Sequence, residues 1–294
     1  MQKTLFILIL CSLTLLGSIR GPLVAEEPPQ GEFTIGLSMY SLRQLFRSGE
    51  LHALDYPQFA KNTFGITQVD VWNGGYPPDR KEDPEFFKEL RKRADEAGVE
   101  IFLVMAGAID AQGKLKAERL AQAEKFFPYV ENAVVLGAKY VRVFLKAPGG
   151  DREQALEFSK ETLLPLADYA KEHGITIVIE PGASEWSKQG QFLADLAASL
   201  DHPHCRLMPD FGKMKEHDPY TGTEVMMPYA DGVSAKTHDF DESGNQIEFD
   251  YDRLMKSVVE ANFTGIVSIE YEGKSLPPIE GVKATQKLLQ RYQK

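Results

Sequence analysis

Residues 154–181 read QALEFSKETLLPLADYAKEHGITIVIEP, an amphipathic run, a glycine, and a short β-branched run that closes on an acid. Leu156, Leu163, Leu166, Ala167 and Ala170 fall on one stripe at helical spacing, which predicts a helix over 154–173. Gly174 stands where a left-handed cap would end that helix, and ITIVIEP then reads as a buried strand ending at Glu180. The same unit recurs on both sides. Strand-like runs begin near Phe33, Ile66, Val99, Lys139, Ile175, Cys205, Gly232 and Gly265, eight in all, with a mean spacing of 33 residues. Such a spacing suits one strand, one loop, one helix and one return turn. Five returns carry a glycine: Gly65, Gly98, Gly137, Gly174 and Gly265. Pro84–Ala97 is a second clear helix, with Phe87, Leu90, Ala94 and Ala97 on its stripe. The sixth unit is the weak one, because Pro219, Gly222 and Pro228 make residues 211–230 read as a long functional loop.

Eight strand–helix units predict a single (β/α)8 TIM barrel of the α/β class over residues 33–294, with a doubly wound open sheet as the competing fold. No linker splits the chain, and neither G-x-G-x-x-G after the first strand nor a P-loop supports a nucleotide-binding open sheet. The 294 residues are 43% hydrophobic and 26% charged, enough apolar material for one large core and too little for a polytopic membrane protein. Formal charge is −10, and −12 without Lys3 and Arg20, which argues against nucleic acid as a partner.

The chain opens differently. Lys3, the apolar run Leu5–Leu16 and the small residues Gly17, Ser18 and Ala25 read as a secretory signal peptide over 1–25. An acidic, Pro-rich linker over 26–32 follows it. The run is short for a membrane helix, although an uncleaved N-terminal anchor is the competing reading. The expectation is an exported, periplasmic or secreted protein with no stable membrane insertion after signal removal. Cys11 lies within the run, so only Cys205 would survive and no intramolecular disulfide is expected.

In a barrel, chemistry sits where the strands end. The fifth run ends in Glu180, the sixth (CRLMPDF) in Asp210, and the eighth (GIVSIEYEG) in Glu270 and Glu272. Alternation puts Ser268, Glu270 and Glu272 on one face, and Ser234, Lys236 and His238 on one face of the seventh run. The second run offers Asp70 and Trp72, the fourth Arg142 and Lys146. Three carboxylates converging at a barrel mouth repel one another unless a cation sits between them. Either a hard divalent ion, Mn²⁺ or Mg²⁺ for such oxygen ligands, or Lys236, Arg142 or Lys146 would neutralise them. The group His202, His204 and Cys205 falls in the turn before the sixth strand, at the stability end of a barrel. His173 reads as a helix C-terminal residue, and His52 and His217 as mouth-side loop residues weaker than His238 as ligands.

The pieces GLSMYSLR, GITQVDVW, YVRVF, IVIEPG, LMPDFG, SAKTHDFD and GIVSIEYEG, in this order, resemble the xylose-isomerase-like barrels. This superfamily of sugar phosphate isomerases/epimerases also includes the apurinic endonucleases, and the resemblance runs from Phe33 to the C-terminus. It implies a divalent metal held by Glu180, Asp210 and Glu270 together with a histidine from the seventh strand. Aligning the family's His-x-Lys-Asp on Lys236 puts Ser234 at the histidine's place, with His238 as a substitute ligand, and Lys213 stands where the family often has another histidine. The missing histidines and the acidic charge weigh against an endonuclease.

The function expected is a metal-assisted isomerase or epimerase of a small sugar or keto-sugar, working by deprotonation next to a carbonyl. Glu180 and Glu270 would act as base and acid, with Tyr40, Asp70, Trp72, Arg142, Lys213 and Lys236 around the carbohydrate and Phe144 as further apolar surface. A lyase or hydrolase on a keto-sugar glycoside and a non-catalytic carbohydrate-binding barrel are the alternatives.

Overall fold

The quoted stretch forms a helix, Arg152–Glu172, and a strand, Thr176–Glu180, joined through Gly174 at φ 69°. Asp151 caps the helix by accepting a hydrogen bond from the Gln154 backbone N–H. The computed structural model describes residues 28–294, so the signal-peptide reading of 1–25 lies outside the described residues. Eight strands follow in order: β1 (Thr34–Leu37), β2 (Gln68–Trp72), β3 (Glu100–Asp110), β4 (Tyr140–Lys146), β5 (Thr176–Glu180), β6 (Cys205–Leu207), β7 (Gly232–Thr237) and β8 (Ile266–Tyr271). The helices are α1 (Arg43–Ser48), α2 (Tyr56–Phe64), α3 (Pro84–Ala97), α4 (Lys116–Glu124), α5 (Phe127–Leu136), α6 (Arg152–Glu172), α7 (Gly190–Leu200), α8 (Pro219–Met226), α9 (Tyr251–Glu260) and α10 (Pro278–Leu289). Among the described residues none is long and apolar enough to cross a membrane.

All strand pairs are parallel, in the order β6-β5-β4-β3-β2-β1-β8-β7. The ends of that series meet through isolated bridges, Leu207 to Ala230 and Asp210 to Ser234. At this seam the Asp231 N–H donates to Leu207 O (3.0 Å), Ser234 N–H to Pro209 O (2.8 Å) and Phe211 N–H to Ser234 O (3.3 Å). Pro209 has no N–H to give, which shortens β6 and leaves the closure to these few bonds. The sheet is thus a closed (β/α)8 barrel, the fold expected.

Alternation divides each later strand cleanly. Ile177 and Ile179 of β5, Val233 and Ala235 of β7, and Val267 and Ile269 of β8 point outward into the main core beneath the helices. Phe102, Leu103, Met105, Val178 and Met208 form a separate apolar cluster. Beyond it, at the C-terminal ends of the strands, the buried residues turn polar: Asp70, Arg142, Glu180, Asp210, Ser234, Lys236, Ser268 and Glu270. This layer positions the site.

Two local expectations are corrected. Gly265 does not cap a helix in the left-handed region. Asn262 does so at φ 52°, because α9 stops at Glu260 and asparagine tolerates that conformation, while the Gly265 carbonyl accepts the Thr34 N–H (3.0 Å). The stretch read as loop in the sixth unit contains α8, started by Asp218, whose carboxylate accepts from the Tyr220 and Thr221 N–H groups. At the opposite end of the barrel His202 faces Asp168 (3.3 Å) and His204 faces the Ile175 carbonyl (2.7 Å), so that group makes structural contacts.

Candidate active site

Glu180 on β5, Asp210 just beyond β6 and Glu270 on β8 each bring an oxygen within 4.8 Å of the others. Strand alternation aims Glu180 and Glu270 inward, and the seam holds Asp210. Its Oδ1 accepts the N–H groups of Gly212 (2.8 Å) and Lys213 (2.7 Å), and its Oδ2 lies 2.8 Å from Ser234 Oγ. The Ser234 hydroxyl is also 3.1 Å from Glu270 Oε2, so it bridges two acids. Lys236 Nζ stands 2.6 Å from Glu272 Oε1, 3.0 Å from Glu270 Oε1 and 3.3 Å from Asp210 Oδ2. Arg142 Nε lies 2.8 Å from Glu180 Oε2 without hydrogen-bond alignment, and its Nη1 donates to the Ala106 carbonyl (3.1 Å). That carbonyl is presented by a break in the β3–β4 register between Met105 and Ala108.

The charges do not share their protons evenly. Burial pushes the Glu180 carboxyl up to about 8, an effect that Arg142 opposes and that Glu270 and Asp210 reinforce. Burial acts on Glu270 in the same sense, yet the Lys236 ammonium outweighs it and holds this carboxyl well below the usual range. Burial would also favour a neutral Lys236, but the surrounding carboxylates keep its ammonium charged. Two neighbouring acids are therefore driven in opposite directions, one toward a retained proton and one toward full ionisation.

Above this layer lies a cleft of about 260 Å³. Tyr40 and Trp72 line one part of it, packed edge to face with centroids 5.0 Å apart. Arg142, Phe144 and Lys213 line another, the guanidinium 4.2 Å and the Lys213 ammonium 5.5 Å from the Phe144 ring centroid. Glu270 and Glu272 complete the acidic part, and Asn73, Ala106 and Gly107 the rest.

Of the residues expected here, Tyr40, Trp72, Arg142, Lys213 and Glu270 line the cleft, whereas Glu180, Asp210 and Lys236 lie buried among the charges below. Asp70 is placed differently from the substrate contact expected. It is fully buried, its Oδ1 accepts the Met39 N–H (2.8 Å), and burial pushes its carboxyl up to about 8. His238 is not brought to the carboxylates. β7 ends at Thr237, so alternation no longer governs the next residue, and the His238 ring lies 3.9 Å from Glu248 in the following loop. Lys146 is exposed, and His217 faces Glu185 (3.2 Å). Asn73 and Gly107 line the cleft without any sequence signal, while Glu272 was legible as a face of the eighth strand but had no role assigned.

Three hard oxygen donors this close are the donor type a divalent ion takes. The arrangement as it stands does not fit one, because a charged ammonium already touches two of the three carboxylates and a guanidinium faces the third.

The profile of the xylose isomerase-like TIM barrel family matches residues 58–292, and the chain belongs to that family. No curated protein sequence matches it. Among solved structures, the chain is similar to the 3-keto-D-glucoside 4-epimerase YcjR from E. coli, at 14% identity and TM-score 0.67, covering 88% of this chain and 99% of the other. It is similar to the probable 3-DHS dehydratase AsbF of petrobactin synthesis from Bacillus anthracis, at 16% identity and TM-score 0.68, covering 88% and 99%. It also resembles the IolI protein with a bound zinc atom, at 14% identity and TM-score 0.67, covering 87% and 96%.

Proposed function

We propose that the protein is an isomerase or epimerase of a small sugar or keto-sugar that works by moving a proton at a carbon next to a carbonyl. The observation that carries this reading is the pair Glu180 and Glu270, on β5 and β8, with oxygens within 4.8 Å at the foot of a cleft that Glu270 lines. A carboxylate at the cleft wall is placed to accept a substrate proton, and a protonated carboxyl beside it avoids a second negative charge there. Glu270 faces the cleft and takes the substrate proton. Glu180, one layer deeper and off the cleft wall, keeps its own proton and so limits the negative charge around Glu270. The Arg142 and Lys213 cations face the oxygen that gains charge as the proton leaves. Tyr40, Trp72 and Phe144 supply apolar surface for a sugar ring.

A metal-assisted form of the reaction would place Mn²⁺ or Mg²⁺ on Glu180, Asp210 and Glu270 to polarise the carbonyl. The zinc in IolI supports that form, and the position of Lys236 weighs against it. The keto-glucoside epimerase among similar folds supports a sugar substrate. Export, expected from the N-terminal sequence, favours free or oxidised sugars over phosphorylated ones. An elimination begins with the same proton removal and differs only in the product.

The test is incubation in D2O with free ketoses and 3-keto-glucosides, read by NMR. Wild type is expected to place deuterium next to the carbonyl. Glu270→Gln and Glu180→Gln are each expected to slow that exchange at least ~100-fold with the fold retained. No deuterium in any sugar would leave a carbohydrate-binding barrel instead.

A further inference from the structure

We propose that the Lys236 ammonium is the resident cation of the carboxylate cluster, standing in for a divalent ion, so that the cluster itself binds no metal. This deepens the isomerase reading and rests on it only for the meaning of the cluster. Lys236 is buried, and its Nζ touches Asp210, Glu270 and Glu272 at 3.3, 3.0 and 2.6 Å. A divalent ion shared by Asp210 and Glu270 would have to sit beside that fixed positive charge, and like charges at such separation repel strongly. Part of the remaining acceptor capacity is also engaged. Asp210 Oδ1 accepts two backbone N–H groups, and the Ser234 hydroxyl lies 2.8 Å from Asp210 Oδ2 and 3.1 Å from Glu270 Oε2, able to donate its one proton to either.

The lysine's place is built into a second element. A Cβ on Gly212 would fall 2.5 Å from Lys236 Cδ and 3.0 Å from its Cγ, so the absence of a side chain at 212 leaves room for this stem. The same Gly212 gives its N–H to Asp210. One glycine thus orients an acid and admits the lysine that neutralises it. Lys236 does not line the cleft and acts as a positioning residue, its Nζ 3.0 Å from Glu270 Oε1.

Elemental analysis and thermal unfolding of the full protein, purified without chelator, test this. Wild type is expected to hold far less than one equivalent of any divalent metal, and its Tm is expected to be the same in millimolar Mn²⁺ as in EDTA. Lys236→Met, which removes the ammonium and keeps an apolar stem, is expected to gain Mn²⁺ binding, read as a Tm several degrees higher with Mn²⁺ than with EDTA and as a bound-ion EPR signal. Lys236→Arg keeps the charge and is expected to stay metal-free. Near-stoichiometric metal in wild type, lost with a falling Tm in EDTA, would overturn the proposal, as would a folded Lys236→Met that ignores Mn²⁺. If Lys236→Met does not fold, wild type and Lys236→Arg decide between the outcomes. None of these readouts needs a substrate, so failure to find sugar turnover and failure of the lysine proposal are separately visible.

Discussion

Asp70 and Glu180 show the same effect at two depths of the barrel: burial favours the protonated carboxyl, for Glu180 even against a guanidinium 2.8 Å away. For Asp70 the folded chain retains the proton to about 8, whereas the unfolded chain loses it near the ordinary value of 3.8. Between those limits the unfolded state binds fewer protons, so stability falls as pH rises through the window and levels off above it. Asp70→Asn is neutral at every pH and keeps an oxygen for the Met39 N–H, so its Tm is expected to fall less than that of wild type between about pH 5 and pH 8. Melting curves at several pH values check this. Parallel curves for the two proteins would mean that Asp70 is ionised in the folded state.

The elements were largely legible because their signals are local. Pro84–Ala97 was bounded correctly by its apolar stripe, its proline start and its glycine end. The glycine at each return could be read because a left-handed residue without a Cβ is favoured there whatever packs around it. Gly174 sits at φ 69° with no atom within 4 Å of an added Cβ, so Gly174→Ala is expected to cost about 1 kcal/mol from backbone strain alone. Urea unfolding of that variant measures it. Where the local signal was ambiguous, at Gly265 and in the stretch holding α8, the structure made a different choice, because asparagine and an aspartate cap served in place of the residues expected.

At the scale of the whole molecule, the barrel is thinly paired where β6 meets β7. Three-residue β6 pairs with β5 as a strand, while its other edge closes through isolated bridges at Leu207 and Asp210. Hydrogen exchange is therefore expected to be faster at the seam amides of Asp231 and Phe211 than at β4 amides such as Val143, which sits between two fully paired neighbours. Equal protection around the barrel would show the seam to be as strong as the rest. The seam also carries Asp210 and Ser234, so the point of closure and the buried acidic cluster share the same residues.

The sequence by itself determined the eight strand–helix units and the inward-facing acids Glu180 and Glu270. Each follows from a periodicity of two or of 3.6 residues that a strand or helix imposes on its own neighbours. Only the tertiary structure decided which cation meets which acid: Arg142 on Glu180, and Lys236 among Asp210, Glu270 and Glu272. It alone turned His238 toward Glu248, buried Asp70 against Met39, and brought Asn73 and Gly107 to the cleft. The physical reason is that a strand's own alternation fixes the face on which a side chain emerges. Its distance from a partner depends on the register, bulges and closure that relate strands far apart in the chain.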